Sequence, residues 1–282
     1  MNGILIVNKK TGMTSRDVVN TLVKKLETKK IGHGGTLDPL ATGVLVIGIG
    51  NGTKVLSMFS DADKEYICTF RLGLLTDTLD ITGKILKEER VNISDTIIRE
   101  VINDFPKSYN QEVPAFSAVK IKGRKLYEYA RDEKTVELPS RVVQIKELEL
   151  LNVEEDIVTI RTKVSKGTYI RSLVNDIAKI MDTNGTVITL ERTVQGEFSL
   201  KNSIELDQVK ANDIINLKDI FKDITLVDVA LKNKIKHGSL LPNIYNQELI
   251  NFVYNNELIA IYETYTKDIT KIKPRHVFIK EG

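Results

Sequence analysis

The order of apolar and polar residues along this chain predicts several β-strands. Residues 4–7 form a short apolar strand, and residues 44–49 are apolar enough to form an interior strand. Large apolar side chains then occupy every second position of residues 66–72, which indicates a strand with one buried face. Residues 141–151 and 157–164 predict a further pair of strands joined by an acidic turn. These segments together predict an extended sheet.

Apolar residues at helical spacing predict three helices. The first follows Ser15, which is expected to cap it, and the second follows Ser94 and ends before Pro106. The third begins near Tyr169 and therefore carries Arg171 in its first turn. Helices of this kind flank the predicted sheet rather than alternate with its strands.

Strand runs mixed with a few helices favour an α+β fold, built on an extended mixed or antiparallel sheet with flanking helices. Beyond residue 225 the pattern changes to short strands, with residues 248–254 and 257–262 separated by a hairpin turn at Asn255 and Asn256. We therefore predict two domains, at residues 1–225 and 226–282, the second small and rich in strands.

Composition narrows the classes of protein that this chain can belong to. The chain has 282 residues, of which 41% are hydrophobic and 28% charged, as in ordinary globular proteins. It has no run of the roughly 18 apolar residues that span a membrane, and no secretory signal pattern, so we expect a cytoplasmic protein. A single cysteine, Cys68, and three scattered histidines predict neither a disulfide nor a metal site.

The most distinctive segment surrounds Asp38. Gly34 and Gly35 precede it, Pro39 follows it directly, and Gly43 releases the chain into the apolar strand. Glycine admits backbone angles that other residues avoid, and proline fixes its own, so this segment can hold one carboxylate in a fixed orientation. Two interpretations follow: a rigid turn that presents a nucleophile, or a strand-entry turn in which the aspartate only caps the local backbone.

Residues 33–43 closely resemble the signature of the TruB-type tRNA pseudouridine synthases, which isomerise uridine 55 in the T loop of tRNA. Five further segments that resemble this family occur in its order: residues 3–15, 64–80, 114–127, 165–172 and 190–193. The resemblance spans about residues 3–225. This chain departs from the family pattern at Lys10, where proline is common, and at Gly34, where threonine is frequent. These departures concern the stiffness of the loops rather than Asp38.

The resemblance implies the catalytic residues and a reaction that needs no cofactor, since no atoms enter or leave when uridine becomes pseudouridine. Asp38 would be the nucleophile and must stay ionised beneath the RNA, so it needs a nearby cation, which the family supplies at the position of Arg171. Tyr66 would stack on the extruded uracil and help to remove the proton from C5. Attack of Asp38 on the ribose and attack on C6 of the base both remain open.

The resemblance also implies residues that bind substrate. His33 would lie beside the extruded base, while Tyr169 and Leu190 would line the uracil pocket. Lys9 and Lys54 are expected to steady either the nucleotide backbone or the Asp38 loop. The small second domain would be the family's PUA-like RNA-binding domain, although a unit that only packs on the first domain fits the sequence too.

The net charge of +3 permits a polyanionic partner without requiring one. Basic residues are clustered, however, and Lys120 and Arg124 belong to a group of four within six residues. Such a cluster is either a solvated face or a site for RNA phosphates. Its place beside the third segment favours the second interpretation.

The predicted function is therefore isomerisation of tRNA uridine 55, by a monomer that needs no guide RNA. The alternatives are a non-catalytic tRNA-binding or tRNA-folding protein on the same scaffold, a glycoside hydrolase that uses carboxylates, and a guide-RNA-dependent relative. A hydrolase usually needs two acids across the scissile bond, whereas the segments offer one obvious candidate. The compact length and the absence of a long basic tail favour the stand-alone enzyme.

Overall fold

The computed structural model describes residues 1–221, 223–245 and 247–279. Its α-helices are α1 (Ser15–Lys25), α2 (Leu56–Ser60), α3 (Asp95–Asp104), α4 (Leu126–Arg131), α5 (Ile170–Ile180), α6 (Leu217–Ile220) and α7 (Val229–Lys236). Short 3-10 helices cover Gly50–Lys54, Leu200–Asn202 and Ala211–Asp213. None of the helices in these ranges is both long and apolar enough to cross a membrane.

The strands range in length from two residues to fifteen. They are β1 (Gly3–Lys9), β2 (Ile31–His33), β3 (Thr42–Ile49), β4 (Lys64–Leu72), β5 (Leu74–Thr76), β6 (Ile85–Glu88), β7 (Ser108–Glu112), β8 (Lys120–Ile121), β9 (Arg124–Lys125), β10 (Ser140–Glu154), β11 (Ile157–Val164), β12 (Gly185–Gln195), β13 (Phe198–Ser199), β14 (Ile204–Glu205), β15 (Ile224–Leu226), β16 (Leu241–Pro242), β17 (Leu249–Tyr254), β18 (Glu257–Thr264) and β19 (Lys271–Val277).

A ten-stranded sheet forms the body of the molecule. Its order is β14-β1-β3-β12-β4-β11-β10-β7, with β2 added beside β3 and β13 beside β12. Most neighbours are antiparallel, whereas β12 runs parallel to β3 and β14 parallel to β1. The predicted α+β class with a mixed sheet and flanking helices is confirmed.

Both faces of the central strands are buried. Leu5 and Val7 of β1 pack into the core that helices α1 and α5 cover, while Ile4 and Ile6 point to the opposite face. That second face packs against the C-terminal strands through residues such as Leu258. The continuous apolar runs in β1 and β3 follow from this double coverage.

The C-terminal strands form a separate five-stranded sheet in the order β15-β17-β18-β19-β16. Asn255 and Asn256 form the predicted turn between β17 and β18, and both adopt positive φ angles. The arrangement is consistent with a PUA-like domain. Because β15 already pairs with β17, this sheet begins at Ile224, close to the predicted division of the chain between residues 225 and 226.

Helix α1 begins as predicted, but its cap is Thr14 rather than Ser15. The Thr14 hydroxyl accepts a hydrogen bond from the Asp17 amide (3.1 Å), and the Asp17 carboxylate accepts one from the Thr14 amide (2.9 Å). This reciprocal capping box satisfies two amides at the helix start, which a lone serine could not do. The other helix predictions hold, since Ser94 caps α3 and α5 begins directly after Tyr169.

Candidate active site

Asp38 and Arg171 meet although 133 residues separate them in the chain. Asp38 lies in the loop between β2 and β3, and Arg171 in the first turn of α5. The Arg171 Nε donates a hydrogen bond to Asp38 Oδ2 at 2.8 Å. The arginine side chain is only 5% exposed, whereas that of Asp38 is 36% exposed. The carboxylate is thus held by a buried cation while it still faces solvent.

Two backbone carbonyls and a second carboxylate hold the Arg171 guanidinium. Nη1 donates to the Thr78 carbonyl at 2.7 Å and Nη2 to the Phe116 carbonyl at 3.0 Å, while Asp80 Oδ2 lies 3.9 Å from Nε. The Asp80 carboxylate itself accepts hydrogen bonds from Thr82. A planar guanidinium with its donors occupied in this way has one orientation, so the direction of its bond to Asp38 is fixed.

Lys9 holds the Asp38 loop from the N-terminal side. Its buried Nζ donates to the carbonyls of Met13 (2.7 Å), Lys10 (3.0 Å) and Pro39 (3.4 Å). Burial lowers the pKa of Lys9 to about 8, although the negative charge of Asp38 opposes this change. Of the two roles expected for Lys9, these contacts fit steadying of the loop rather than of a nucleotide backbone.

Ser15 contributes to the same support. Its hydroxyl accepts a hydrogen bond from the Leu37 amide at 2.9 Å, one residue before Asp38, and the hydroxyl lies 3.3 Å from the Leu37 carbonyl. The Gly12 amide also donates to the Pro39 carbonyl at 2.9 Å. The residues on both sides of Asp38 are therefore anchored to the N-terminal segment.

Strand β12 braces the loop from the other side through two residues to which the sequence assigned no role. Arg192 is buried and donates to the carbonyls of Val44 (2.7 Å) and Gly35 (3.1 Å). Gln195, also buried, donates to the carbonyls of Gly34 and Phe59. A buried arginine requires a polar partner, because burial of an unpaired charge is costly. The sequence does not tell which backbone atom that partner is.

Tyr66 and Leu190 share one face of the sheet near the end of the Asp38 loop. Leu190 lies opposite Cys68, and directly opposed residues project to the same side, as do Tyr66 and Cys68 at alternate positions of β4. Thr42, where the loop enters β3, donates from its hydroxyl to the Leu190 carbonyl at 3.5 Å. Tyr169 immediately precedes helix α5 and Arg171. These predicted pocket residues thus lie on elements that converge at Asp38.

His33 lies at the end of β2, at the start of the same loop. Its Nδ1 is buried and has no hydrogen-bond partner within the described part of the chain. Burial lowers the pKa of His33 below its ordinary value of 6.5, and the nearby charges of Arg16 and Arg192 lower it further. The imidazole is therefore neutral at pH 7, which suits stacking on a base better than an ion pair with phosphate.

The other three predicted binding residues are not gathered around Asp38. The Lys54 Nζ donates to the Val277 carbonyl at 2.6 Å and lies 5.8 Å from the centre of the Phe278 ring, so it contacts the C-terminal sheet. Lys120 is exposed on the hairpin formed by β8 and β9. Arg124, on the same hairpin, pairs with Asp132 at 2.6 Å.

Within the described ranges, no group of three or more histidine, cysteine, aspartate or glutamate side chains is placed to hold a metal ion. The charged groups that the structure brings together here are the solvent-facing carboxylate of Asp38, the buried guanidinium of Arg171 and the buried carboxylate of Asp80.

Chains in two solved structures of larger complexes share this architecture. A crystal structure of a Cbf5–Nop10–Gar1 complex matches with a TM-score of 0.73 over 98% of this chain and 85% of that chain, at 24% identity. A structure of an H/ACA RNP bound to a substrate RNA containing 2′-deoxyuridine matches with a TM-score of 0.72 over 99% and 85%, at 21% identity. At these identities the likeness shows the fold alone.

Sequence comparison identifies the family to which the chain belongs. The model of the TruB family pseudouridylate synthase N-terminal domain matches residues 23–170. "tRNA pseudouridine synthase B" of Mesoplasma florum is 39% identical over 96% of this chain and 97% of its own length. The protein of the same name from Caldicellulosiruptor saccharolyticus is 41% identical over 86% and 84%. The chain belongs to the TruB family.

Proposed function

We propose that this protein isomerises uridine to pseudouridine in tRNA, at position 55 of the T-stem loop, with Asp38 as nucleophile. The observation that carries this proposal is the ion pair between Asp38 and Arg171, in which a buried guanidinium orients a carboxylate that remains open to solvent. The names of relatives that match nearly the whole chain support tRNA as the substrate.

The roles of the side chains follow from the chemistry of the reaction. The uridine must leave its stack and enter the site, where Tyr66 offers an aromatic face and the neutral His33 a second flat group. Arg171 keeps Asp38 ionised after RNA has excluded water, so the carboxylate can attack either the ribose or C6 of the base. In either route the bond from C1′ to N1 breaks, and the uracil turns between Tyr66 and Leu190 until its C5 forms the new bond to C1′. The bond to Asp38 is released, and Tyr66 assists loss of the C5 proton.

The proposal extends to how the RNA is held. Lys9 steadies the catalytic loop, and Tyr169 completes the uracil pocket. The exposed Lys120 contacts phosphate, whereas Arg124 and Lys54 act mainly by shaping the surface, because both already have partners in the protein. No cofactor takes part.

The proposed enzyme is a monomer that works on tRNA in the cytoplasm without a guide RNA. Residues 1–225 form the catalytic domain and residues 226–282 the small PUA-like domain that contacts RNA. A relative named tRNA pseudouridine synthase B aligns over 96% of this chain, whereas the likeness to the H/ACA RNP structure, at 21% identity, is one of fold. Modification that occurs only after addition of a guide RNA would contradict this part of the proposal.

The substitution Asp38→Asn tests the reaction directly. The amide has nearly the shape of the carboxylate but is a poor nucleophile, so we expect turnover to fall below detection while tRNA affinity changes little. Pseudouridine is measured by chromatography of nuclease digests after incubation with an unmodified tRNA transcript. Asp207→Asn is the matched control, because that carboxylate is 74% exposed and does not contact Arg171.

Three results would contradict the proposal in different ways. Binding of tRNA without product by the unaltered protein would indicate a non-catalytic RNA-binding protein. Release of free uracil would indicate a hydrolase. Product from Asp38→Asn at the normal rate would remove Asp38 from the reaction.

A further inference from the structure

Helix α5 carries Arg171 in its first turn but has no side-chain cap of its own. Tyr169 occupies the N-cap position, and its side chain makes no capping hydrogen bond. The first amides of a helix lack partners within the helix, so an uncapped end depends on groups from elsewhere in the fold. The orientation of Arg171 therefore depends on what holds Tyr169.

Gln111, which lies in strand β7 and 58 residues away in the chain, contacts the backbone of Tyr169. The Tyr169 amide donates to Gln111 Oε1 at 2.8 Å, and Gln111 Nε2 donates to the Tyr169 carbonyl at 3.1 Å. Gln111 is fully buried in β7. Because one carboxamide contacts both polar groups of one residue, it restrains rotation of that backbone as well as its position.

A second pair of contacts orients Gln111 itself. Its Nε2 also donates to the Tyr109 hydroxyl at 2.7 Å, and that hydroxyl donates to Asp176 Oδ2 at 3.1 Å. Asp176 lies on α5. Gln111 and Tyr109 of β7 therefore connect the start of helix α5 to a later turn of the same helix. Burial and the neighbouring charge of Asp176 raise the pKa of Tyr109, which keeps its hydroxyl protonated as a donor.

The segment after β7 joins the same arrangement. The Ser172 hydroxyl donates to the Glu112 carbonyl at 2.9 Å, and Arg171 itself donates to the Phe116 carbonyl at 3.0 Å. Residues 111–116 thus contact the backbone before Arg171, the guanidinium and the residue after it. Within this arrangement, the two hydrogen bonds to Tyr169 come from one side chain, that of Gln111, so a single substitution can remove them.

We propose that Gln111 is a positioning residue, which sets the direction of the Arg171 guanidinium toward Asp38 by clamping the backbone of Tyr169. This inference rests on the proposed function, since its effect is on the rate of that reaction. Gln111 does not contact the substrate. Loss of the Gln111 side chain lets the first turn of α5 rotate, so the Arg171 guanidinium no longer directs its hydrogen bond at Asp38.

The substitution Gln111→Leu removes both hydrogen bonds to Tyr169, together with the one to the Tyr109 hydroxyl, and keeps most of the volume. We expect kcat to fall by about 10- to 100-fold with little change in KM, since a small misplacement of a catalytic group costs rate rather than binding. Thr159→Val is the control, because it removes a hydroxyl contact with Thr69 on the sheet face opposite Tyr66. Both variants are assayed well below their unfolding temperatures.

The substitution Gln111→Glu separates positioning from a loss of stability. A protonated glutamic acid can accept from the Tyr169 amide and donate to its carbonyl, whereas the ionised form cannot donate. The titratable and charged groups around this site are Tyr109, which contacts Gln111 directly, and Asp176 with its partner Lys179. Arg171 lies in the adjoining helical turn, and Arg141 lies over the Tyr169 ring. Burial favours the protonated acid, so we expect the kcat of this variant, relative to the unaltered protein, to rise as the pH falls from about 8 to 6.

The outcomes are distinct. An unaltered protein that forms no pseudouridine would refute the proposed function, whatever the variants do. An active protein whose Gln111→Leu variant keeps its full kcat, or loses activity through KM alone, would refute the role of Gln111. A Gln111→Glu variant with the same pH dependence as the unaltered protein would do so too.

Discussion

At the scale of single residues, the site is an asymmetric pair of charges. Arg171 is almost completely buried, and its donors are occupied by Asp38 and by two backbone carbonyls. Asp38 is the exposed partner. The fold buries the cation and leaves the anion open to a substrate. The guanidinium of Arg171 keeps its charge, and its hydrogen bonds fix its position.

His33 gives a prediction for stability against pH. Since burial lowers its pKa in the folded state, the unfolded chain takes up the proton first, so acid favours unfolding as the pH falls below about 6.5. The variant His33→Gln cannot be protonated, and we expect it to lose less stability than the unaltered protein between pH 7 and pH 5. Thermal unfolding at both pH values checks this. An equal loss in both proteins would contradict it.

Some of these residues could be predicted from the sequence and others could not. Asp38 and Arg171 were expected to pair because the resemblance to the family implies it, and the structure joins them. Arg192, Gln195 and Gln111 were missed because their partners are backbone atoms of distant segments. Every residue has a backbone carbonyl, whatever its side chain, so no local sequence pattern indicates which carbonyl a buried side chain will contact.

At the scale of elements, the Asp38 loop depends on the close approach of β3 and β12. Gly43 has a φ of +97°, and a Cβ placed there would lie 2.3 Å from the Arg192 carbonyl oxygen. We expect Gly43→Ala to destabilise the protein by about 2 kcal/mol or more, from backbone strain together with this clash. Denaturant unfolding measures the change.

Gly123 offers a matched control for that substitution. It also has a positive φ, of +83°, but a Cβ there would meet no atom within 4 Å. The variant Gly123→Ala therefore carries the strain without the clash and should cost less. Equal destabilisation by the two variants would show that contact between β3 and β12 does not restrict Gly43.

The hairpin of β8 and β9 carries two basic residues, Lys120 and Arg124, for which the sequence predicted the same role but which differ in their surroundings. Lys120 is exposed, whereas Arg124 pairs with Asp132 and lies 4.9 Å from the Tyr129 ring centre. We expect Lys120→Ala to reduce the salt dependence of tRNA binding by about one counterion, and Arg124→Ala to reduce it less. Filter binding at several salt concentrations measures both slopes. A larger change for Arg124→Ala would contradict this ranking.

The sequence predicted these elements well where a segment is apolar and long. The strands at residues 141–151 and 157–164 and the helix after Ser94 appear with small shifts of their ends. The cap of α1 was misplaced by one residue because Thr14 and Ser15 are both good capping residues. The choice depends on Asp17 and on the use of Ser15 by the Asp38 loop.

At the scale of the whole molecule, the C-terminal sheet shares a core with the catalytic body. Phe278 packs with Ile4 and Val46, and its carbonyl accepts a hydrogen bond from Asn51 at 3.2 Å. We expect Phe278→Ala to cost about 3 kcal/mol and to lower the unfolding temperature of the entire protein in one transition. Leu226→Ala, at a side chain that is 76% exposed in the same sheet, is the control. Calorimetry that shows two transitions, with the larger one unchanged, would contradict the shared core.

The bracing of the Asp38 loop has a consequence for biosynthesis. The loop leaves the ribosome early, but Arg192 and Gln195, which hold its carbonyls, follow more than 140 residues later. A nascent chain that ends before β12 lacks the contacts that shape the catalytic turn, so chemical competence arises only once most of the polypeptide has been synthesised. We therefore expect chains that end before β12 to be inactive.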